Sequence, residues 1–129
     1  KTMVIKSPPQ RNLSFEAPLV HKTCEFYKII YLCSGRLPKR DRFSLFLKIE
    51  QICLEVIGLS LTASLEKRLN KSPYLSKARI QIETLKRLVR IAFELDIIDS
   101  KKYLKFELSL QEMSKMSTNW LNSLNKEIP

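Results

Sequence analysis

The chain has 129 residues, of which 44% are hydrophobic and 28% charged, and this composition is that of one soluble globular domain. Twenty-three lysines and arginines against 13 aspartates and glutamates give a formal net charge of +10, so we expect an anionic partner. Two glycines and one histidine are too few for most phosphate-binding loops, Ser-His-Asp triads and histidine-carboxylate metal sites. We therefore predict no enzyme, no cofactor and no metal site.

The first segment, residues 1–16, contains two adjacent prolines and no sustained hydrophobic periodicity. We expect it to be an extended or flexible arm, followed by a helical domain over 17–126. It lacks the apolar stretch of a signal peptide, and no run of about 18 apolar residues follows it. The chain has an odd number of cysteines and no C-x-x-C pair, which is typical of reduced core thiols. We thus expect a cytoplasmic protein that does not contact a membrane.

The first predicted helix begins at 17–18, because proline is tolerated in the first turn of a helix, and ends at 34–35. Gly35 fits a left-handed cap at its carboxyl end. The side chains expected to face inward are Val20, Cys24, Tyr27 and Tyr31.

Three longer helices are predicted over about 39–69, 74–96 and 100–124, and an Asp99-Ser100 cap begins the last of them. The third and fourth helices carry one apolar stripe each, with steps of three and four residues: Ala78, Ile82, Leu85, Val89 and Ala92, then Tyr103, Phe106, Leu110, Met113, Ser117, Trp120 and Leu124. Four amphipathic helices with short connections predict an all-α, antiparallel, up-down-up-down four-helix bundle.

The second predicted helix has more apolar surface than a bundle core needs. One face can serve the core, with Leu45, Phe46, Ile49, Ile52, Cys53, Val56 and Leu59. A second stripe lies beside it and consists of Phe43, Leu47, Leu54, Ile57, Leu61 and Leu65. A monomer would leave this stripe in water, so we interpret it as an interface between subunits. The alternative is that the first helix leans across and covers it.

Positive charge is concentrated at one end of the predicted bundle, where ten cations, Lys105 among them, lie near four carboxylates. Several cations lie in the first turn of a helix, where each opposes the helix dipole at a cost of about a few tenths of a kcal/mol. Local stability does not explain them, so we predict phosphate binding to a nucleic acid. The predicted contact residues are Arg36, Lys39, Arg40, Arg42, Arg79, Lys86, Arg87, Arg90, Lys101 and Lys102. The alternative is a solvated surface that keeps the protein soluble.

Several segments carry a family resemblance: LPK at 37–39, RFSL at 42–45, IE at 49–50, LKRLVRIA at 85–92, Leu95, IDSKKY at 98–103, and Met116 with Trp120. Together they resemble the accessory variability determinant proteins of diversity-generating retroelements, a group of bacterial four-helix-bundle proteins, over nearly the whole domain. The sequence departs from that pattern at Phe46, where glycine is common, at Lys86 in place of arginine, and at 118–119.

This resemblance implies a non-catalytic accessory protein that assembles into a homopentameric ring. Its basic surface would bind the retroelement reverse transcriptase and RNA, or an RNA–cDNA hybrid, during mutagenic cDNA synthesis. Two alternatives remain open from the sequence. One is a bundle protein associated with ribosomal RNA, and the other is an oligomeric scaffold that docks an acidic protein.

Overall fold

A computed structural model of the protein describes residues 17–126, and this part of the chain contains helices and no strand. The helices are α1 (Pro18–Ser34), the four-residue α2 (Lys39–Arg42), α3 (Leu45–Leu65), α4 (Ser72–Glu94) and α5 (Ser100–Lys126), with a 3-10 turn (Arg68–Asn70) between α3 and α4. The four long helices fit the predicted four-helix bundle. The arm expected at 1–16 lies outside the described residues.

Each long helix packs on two neighbours, since α1 and α4 both contact α3 and α5. Contacts between α4 and α5 run in opposite chain directions: Glu83 meets Ser114, and Arg90 meets Tyr103. The same holds for α3 and α4, where Lys71 meets Ala63 and Gln81 meets Glu55. It also holds for α1 and α3, where Gly35 lies near Phe43 and Tyr27 near Cys53, so consecutive long helices are antiparallel. The end of α1, the start of α3, the end of α4 and the start of α5 consequently lie at the same end of the bundle.

The core contains one large cluster that spans all four long helices and a smaller one near the ends of α3 and α5. In the large cluster, Phe26 of α1 meets Phe106 of α5 edge to face, with ring centroids 6.0 Å apart. The predicted α4 stripe is fully buried, which confirms it. Trp120 packs against both clusters and so joins the two parts of the core.

The inward face of α1 differs from the prediction by one residue position. Its buried side chains include Leu19, Val20, Thr23, Phe26, Ile30 and Cys33. Of the residues predicted to face inward, Tyr31 is 59% exposed, and Cys24 and Tyr27 are half-buried. Both the predicted and the observed inward faces of α1 are apolar. The observed face is the one that places Phe26 against Phe106. The phenol groups are left at the bundle surface, where water can satisfy them.

The single helix predicted over about 39–69 is interrupted at Ser44, which has a non-helical φ of −121° and ψ of −96°. The Ser44 hydroxyl donates a hydrogen bond to the Arg40 carbonyl oxygen at 2.5 Å. In a continuous helix, the backbone N–H of Ser44 would bond to that same carbonyl. The predicted carboxyl end is also wrong, because α3 stops at Leu65 and Glu66 is extended.

Gly35 does not form the predicted left-handed cap, because its φ of −63° and ψ of −17° are right-handed. The N–H of Arg36 bonds to the Cys33 carbonyl, so the chain leaves α1 through a further right-handed turn toward Pro38. A glycine is not required for that conformation.

A left-handed residue occurs instead after α4, where Asp96 has a φ of 60°. The N–H of Ile97 bonds to the Ala92 carbonyl and the N–H of Asp96 bonds to the Phe93 carbonyl, at 2.9 and 3.0 Å. This pair of hydrogen bonds is a Schellman motif, which satisfies carbonyls that the end of a helix leaves without partners. Aspartate adopts this conformation more readily than most side chains.

Lys71 closes the carboxyl end of α3. Its Nζ donates to the backbone oxygens of Ala63, Ser64 and Glu66 at 2.7, 3.4 and 2.8 Å. The last carbonyls of a helix have no partner within the helix and carry the negative end of its dipole. Lys71 therefore supplies both hydrogen bonds and a favourable charge at this position.

We expect Lys71→Met to lower the free energy of unfolding by about 2 kcal/mol, because it removes charged hydrogen bonds and leaves half-buried carbonyls unsatisfied. Urea denaturation followed by circular dichroism measures this loss. Lys67→Met is the control, since Lys67 is exposed and bonds to no carbonyl of the described chain. Equal stability of the two variants would contradict the capping role.

Candidate functional site

Six cations gather at the end of α1, in α2 and at the start of α5, and we call them the basic pole: Arg36, Lys39, Arg40, Lys101, Lys102 and Lys105. Lys102 is half-buried and the others are exposed. Within residues 17–126, none of their side chains forms an ion pair or a hydrogen bond. No carboxylate of the described chain pairs with these side chains, so they remain available to an anionic ligand.

The start of α5 shows how the fold accepts cations in the first turn of a helix. An Asp99 carboxylate oxygen accepts a hydrogen bond from the Lys102 backbone N–H at 2.8 Å, which confirms the predicted cap. No acidic residue lies in the first turn of α5, whereas Lys101 and Lys102 do. The Asp99 carboxylate is thus a local anion that offsets their unfavourable interaction with the helix dipole.

A groove of about 400 Å³ opens between α1 and α5 at the basic pole, and we call it the α1–α5 groove. Its charged lining residues are Arg36, Lys101, Lys102 and Lys105, and its other lining residues are Ile29, Leu32, Cys33 and Phe106. Burial raises the pKa of the Cys33 thiol, so this group is protonated at neutral pH. The groove therefore combines four cations with an apolar floor and has no carboxylate in its lining.

Arg42 is placed apart from the other predicted contact residues. It is half-buried, its guanidinium lies 5.1 Å from the centre of the Phe43 ring, and its Nε is buried without a hydrogen-bond acceptor. Together with Tyr31, Leu47 and Glu50, these two residues line a smaller cavity of about 270 Å³. Arg42 therefore packs at the edge of α3 rather than extending into solvent.

Arg90 is built into the corner between α4 and α5. Its Nε donates to Glu94 at 3.0 Å, its Nη1 donates to the Tyr103 hydroxyl at 3.4 Å, and these contacts raise its pKa. The guanidinium also lies within 6.0 Å of the Phe93 and Tyr103 ring centres, and the two rings stack 4.7 Å apart. Although Arg90 is exposed, part of its role is therefore structural.

The remaining predicted contact residues lie further back along α4. Lys86 forms an ion pair with Glu83 at 3.2 Å. Burial raises the pKa of Glu83, but the hydrogen bonds from Lys86 and Ser114 outweigh it, so the net shift is downward. Arg79 and Arg87 are exposed on the outer surface of α4 and have no ion pair in the described chain. Arg79 lies about 16 Å along the helix from Arg90, so it is not part of the basic pole.

At the opposite end of the bundle, Arg68 bonds to the carboxyl end of α5. Its Nη2 donates to the carbonyl oxygens of Ser123 and Leu124 at 2.9 and 3.0 Å. Lys71 makes the equivalent contacts at the end of α3. These two cations stabilise helix ends, in contrast to those of the basic pole.

Five of the six side chains in the predicted second stripe are exposed. They are Phe43, Leu47, Leu54, Leu61 and Leu65, while Ile57 is half-buried. We call these six residues the apolar stripe. The alternative in which the first helix covers the stripe is therefore wrong. Gly58 lies on the same side of α3, and a Cβ atom added there would meet nothing within 4 Å, so this part of the surface is open.

The described part of the chain offers no metal site and no membrane span. No group of three His, Cys, Asp or Glu side chains could hold a metal ion, and no helix is long and apolar enough to cross a membrane. All three cysteines are free, and burial raises the pKa of the Cys53 thiol to about 12.

Sequence reasoning placed Lys105 at this end of the bundle without naming it as a contact residue, and it missed Leu32. Lys105 follows Lys101 by one helical turn, and this spacing alone places both lysines on one side of α5. Leu32 was unremarkable because α1 is apolar on several sides, and its 66% exposure is a property of the packed bundle.

The sequence model of the bAvd-like family matches residues 19–124 of the chain. The chain belongs to the bAvd-like family. This result confirms the resemblance noted in the sequence. No curated protein matches the chain.

In this bAvd-like protein, three of the segments that carry the resemblance lie at the basic pole. The LPK segment at 37–39 leads into α2, and the RFSL segment at 42–45 contains the break between α2 and α3. The IDSKKY segment at 98–103 begins α5. Phe46, which departs from the family pattern, is fully buried and contributes a large side chain to the core.

Proposed function

We propose that this chain is a non-catalytic accessory subunit of a diversity-generating retroelement and binds its template RNA and its reverse transcriptase during mutagenic cDNA synthesis. Membership of the bAvd-like family supports the accessory role. The observation that carries RNA binding is the basic pole, whose six cations have no carboxylate partner in the described chain. Phosphate oxygens are well suited to lysine and arginine side chains.

The arrangement of the cations favours recognition of the RNA backbone over recognition of bases. Lys39 and Arg40 are exposed on α2, and Lys101 is exposed on α5, so they present charge from two separate elements. Arg79 and Arg87 extend the positive surface along α4. The one aromatic residue in the α1–α5 groove, Phe106, is buried and offers no stacking platform.

The proposed subunit acts as a homo-oligomer, with five copies as the family resemblance implies. The apolar stripe supports association, because Leu54 and Leu65 are 51% and 81% exposed and lie in line with other exposed aliphatic side chains. A second copy of the chain that covers the stripe would remove this apolar surface from water.

The RNA interaction should weaken steeply as salt rises. Each phosphate that the protein neutralises releases condensed counterions and contributes a slope of about −0.7 to a plot of log affinity against log salt for a single strand. Contacts from four pole cations thus predict a slope of about −3. Fluorescence anisotropy of a labelled single-stranded RNA measures it, and a flat plot would contradict phosphate binding.

The genomic context tests the retroelement assignment. The gene should lie beside a reverse transcriptase gene and a pair of variable and template repeats, and the purified reverse transcriptase should co-sediment with this protein. If neither the reverse transcriptase gene nor the repeats lie beside this gene, the assignment is contradicted even if the protein binds RNA.

A further inference from the structure

The α1–α5 groove has an apolar component that phosphate binding does not use. Leu32 on α1 is 66% exposed beside the half-buried Ile29. On α5, Leu104 and Leu108 are one turn apart and are 59% and 63% exposed. Leu32 lines the groove itself, whereas Leu108 follows Lys105 by three residues on α5 and lies just beyond the lining.

The cations of the groove are arranged in rows alongside these leucines. Lys101 and Lys105 are one turn apart on α5, and Arg36 faces them from the end of α1. An ion pair between Lys22 and Glu112 links α1 to α5 further from the basic pole.

The presence of both leucines and cations at the groove distinguishes between a nucleic acid and a protein helix as its ligand. A nucleic acid backbone would use the cations but would leave the leucines in water. An amphipathic helix with carboxylates beside its apolar side would cover the leucines and neutralise the cations at once, as helices bound in grooves do. The groove lining on α1 extends from Ile29 to Arg36, which is about two helical turns.

We infer that the α1–α5 groove docks an acidic amphipathic helix of a partner protein. The apolar side of that helix contacts Ile29, Leu32 and Leu108, and its carboxylates contact Lys101 and Lys105. This goes beyond the proposed function, which assigns no surface to a protein partner. When the groove is occupied by such a helix, Lys39 and Arg40 of α2 remain available to RNA.

The test uses the full-length protein and a fluorescein-labelled synthetic peptide of about 15 residues, with leucines at helical spacings of three and four and glutamates elsewhere. The matched control peptide has the same composition with its leucines distributed around the helix. Fluorescence anisotropy should show that the patterned peptide binds about tenfold or more tightly than the control peptide.

Three variants locate the binding site. Leu32→Ser, and the double variant Lys101→Glu with Lys105→Glu, should each weaken binding of the patterned peptide by about tenfold or more. Lys115→Glu is the control, because Lys115 is exposed on α5 beyond the end of the groove and should leave binding unchanged. Circular dichroism checks that each variant is folded.

The same variants are titrated with a single-stranded RNA, which separates this inference from the proposed function. Leu32→Ser should leave RNA affinity unchanged. Equal binding of the two peptides, or no effect of Leu32→Ser on the patterned peptide, would overturn the inference. A loss of RNA affinity in Leu32→Ser equal to the loss of peptide affinity would also overturn it, since RNA would then be the occupant. Failure to bind RNA with peptide binding intact would contradict only the proposed function.

Discussion

Leu54→Glu should convert the assembled protein into monomers of 15.1 kDa. Leu54 lies in the middle of the apolar stripe and is half exposed in the single chain, so a carboxylate there is solvated in the monomer. In an interface the same carboxylate is buried without a partner, which costs about 3–5 kcal/mol or more per contact. Sedimentation velocity measures the change, and circular dichroism should show unchanged helicity.

The control for this variant is Gln111→Glu, which adds the same charge to an exposed position on α5.

A second variant, Gly58→Ala, changes no charge. If the surface around Gly58 stays in water, this variant should raise the stability of the helix by about 1 kcal/mol, because alanine favours a helix interior. If another helix packs closely at this glycine, the added methyl group should weaken assembly. A wild-type protein that sediments as a monomer at micromolar concentration would contradict the interface.

Reversal of Arg36, Lys39 and Arg40 to glutamate should lower RNA affinity by about 100-fold or more and reduce the salt slope by about 2 to 3. These side chains have no ion pair in the described chain, so their replacement breaks no internal contact. The loss should be similar for RNAs of different sequence, because backbone phosphates carry no sequence information. Anisotropy titrations at several salt concentrations measure both quantities.

The matched control reverses Lys67, Lys77 and Lys115, which are exposed and lie outside the basic pole. Both triple variants change the net charge equally, so an equal loss of affinity would show a general charge effect and contradict a localised site. Reversal of Arg90 is a poorer test, because it also removes the contacts with Glu94 and Tyr103.

The elements that the sequence predicted well are those with one clear apolar side. On α4, the stripe from Ala78 to Ala92 alternates with charged residues, so one orientation is possible and it is the observed one. On α1, leucines, isoleucines, tyrosines and one phenylalanine lie on several sides of the helix. Which side of α1 faces the core depends on the contact between Phe26 and Phe106. This is a tertiary contact, so the hydrophobic periodicity of α1 alone cannot predict it.

The end of the bundle at which the cations lie follows from the order of the helices, so it could be predicted from the sequence. The contacts that each cation makes could not be predicted. Antiparallel packing brings Arg36 and Lys101 into one groove, as expected from the order of the helices. The cation-π contact of Arg42 and the position of Arg90 beside Phe93 and Tyr103 depend on side-chain orientation. At Ser44 the side-chain hydroxyl replaces the backbone N–H as the donor to the Arg40 carbonyl oxygen and interrupts the predicted second helix. The composition of the segment does not predict this replacement.

Trp120 offers an optical probe of the far half of the molecule. It is the single tryptophan of the chain, and it contacts both core clusters about 30 Å along α5 from Ser100. An anion bound at the basic pole is therefore too distant to quench its emission by contact. Unfolding of each variant can be followed by tryptophan fluorescence with labelled RNA in the same cuvette, so that stability and affinity are obtained from separate signals.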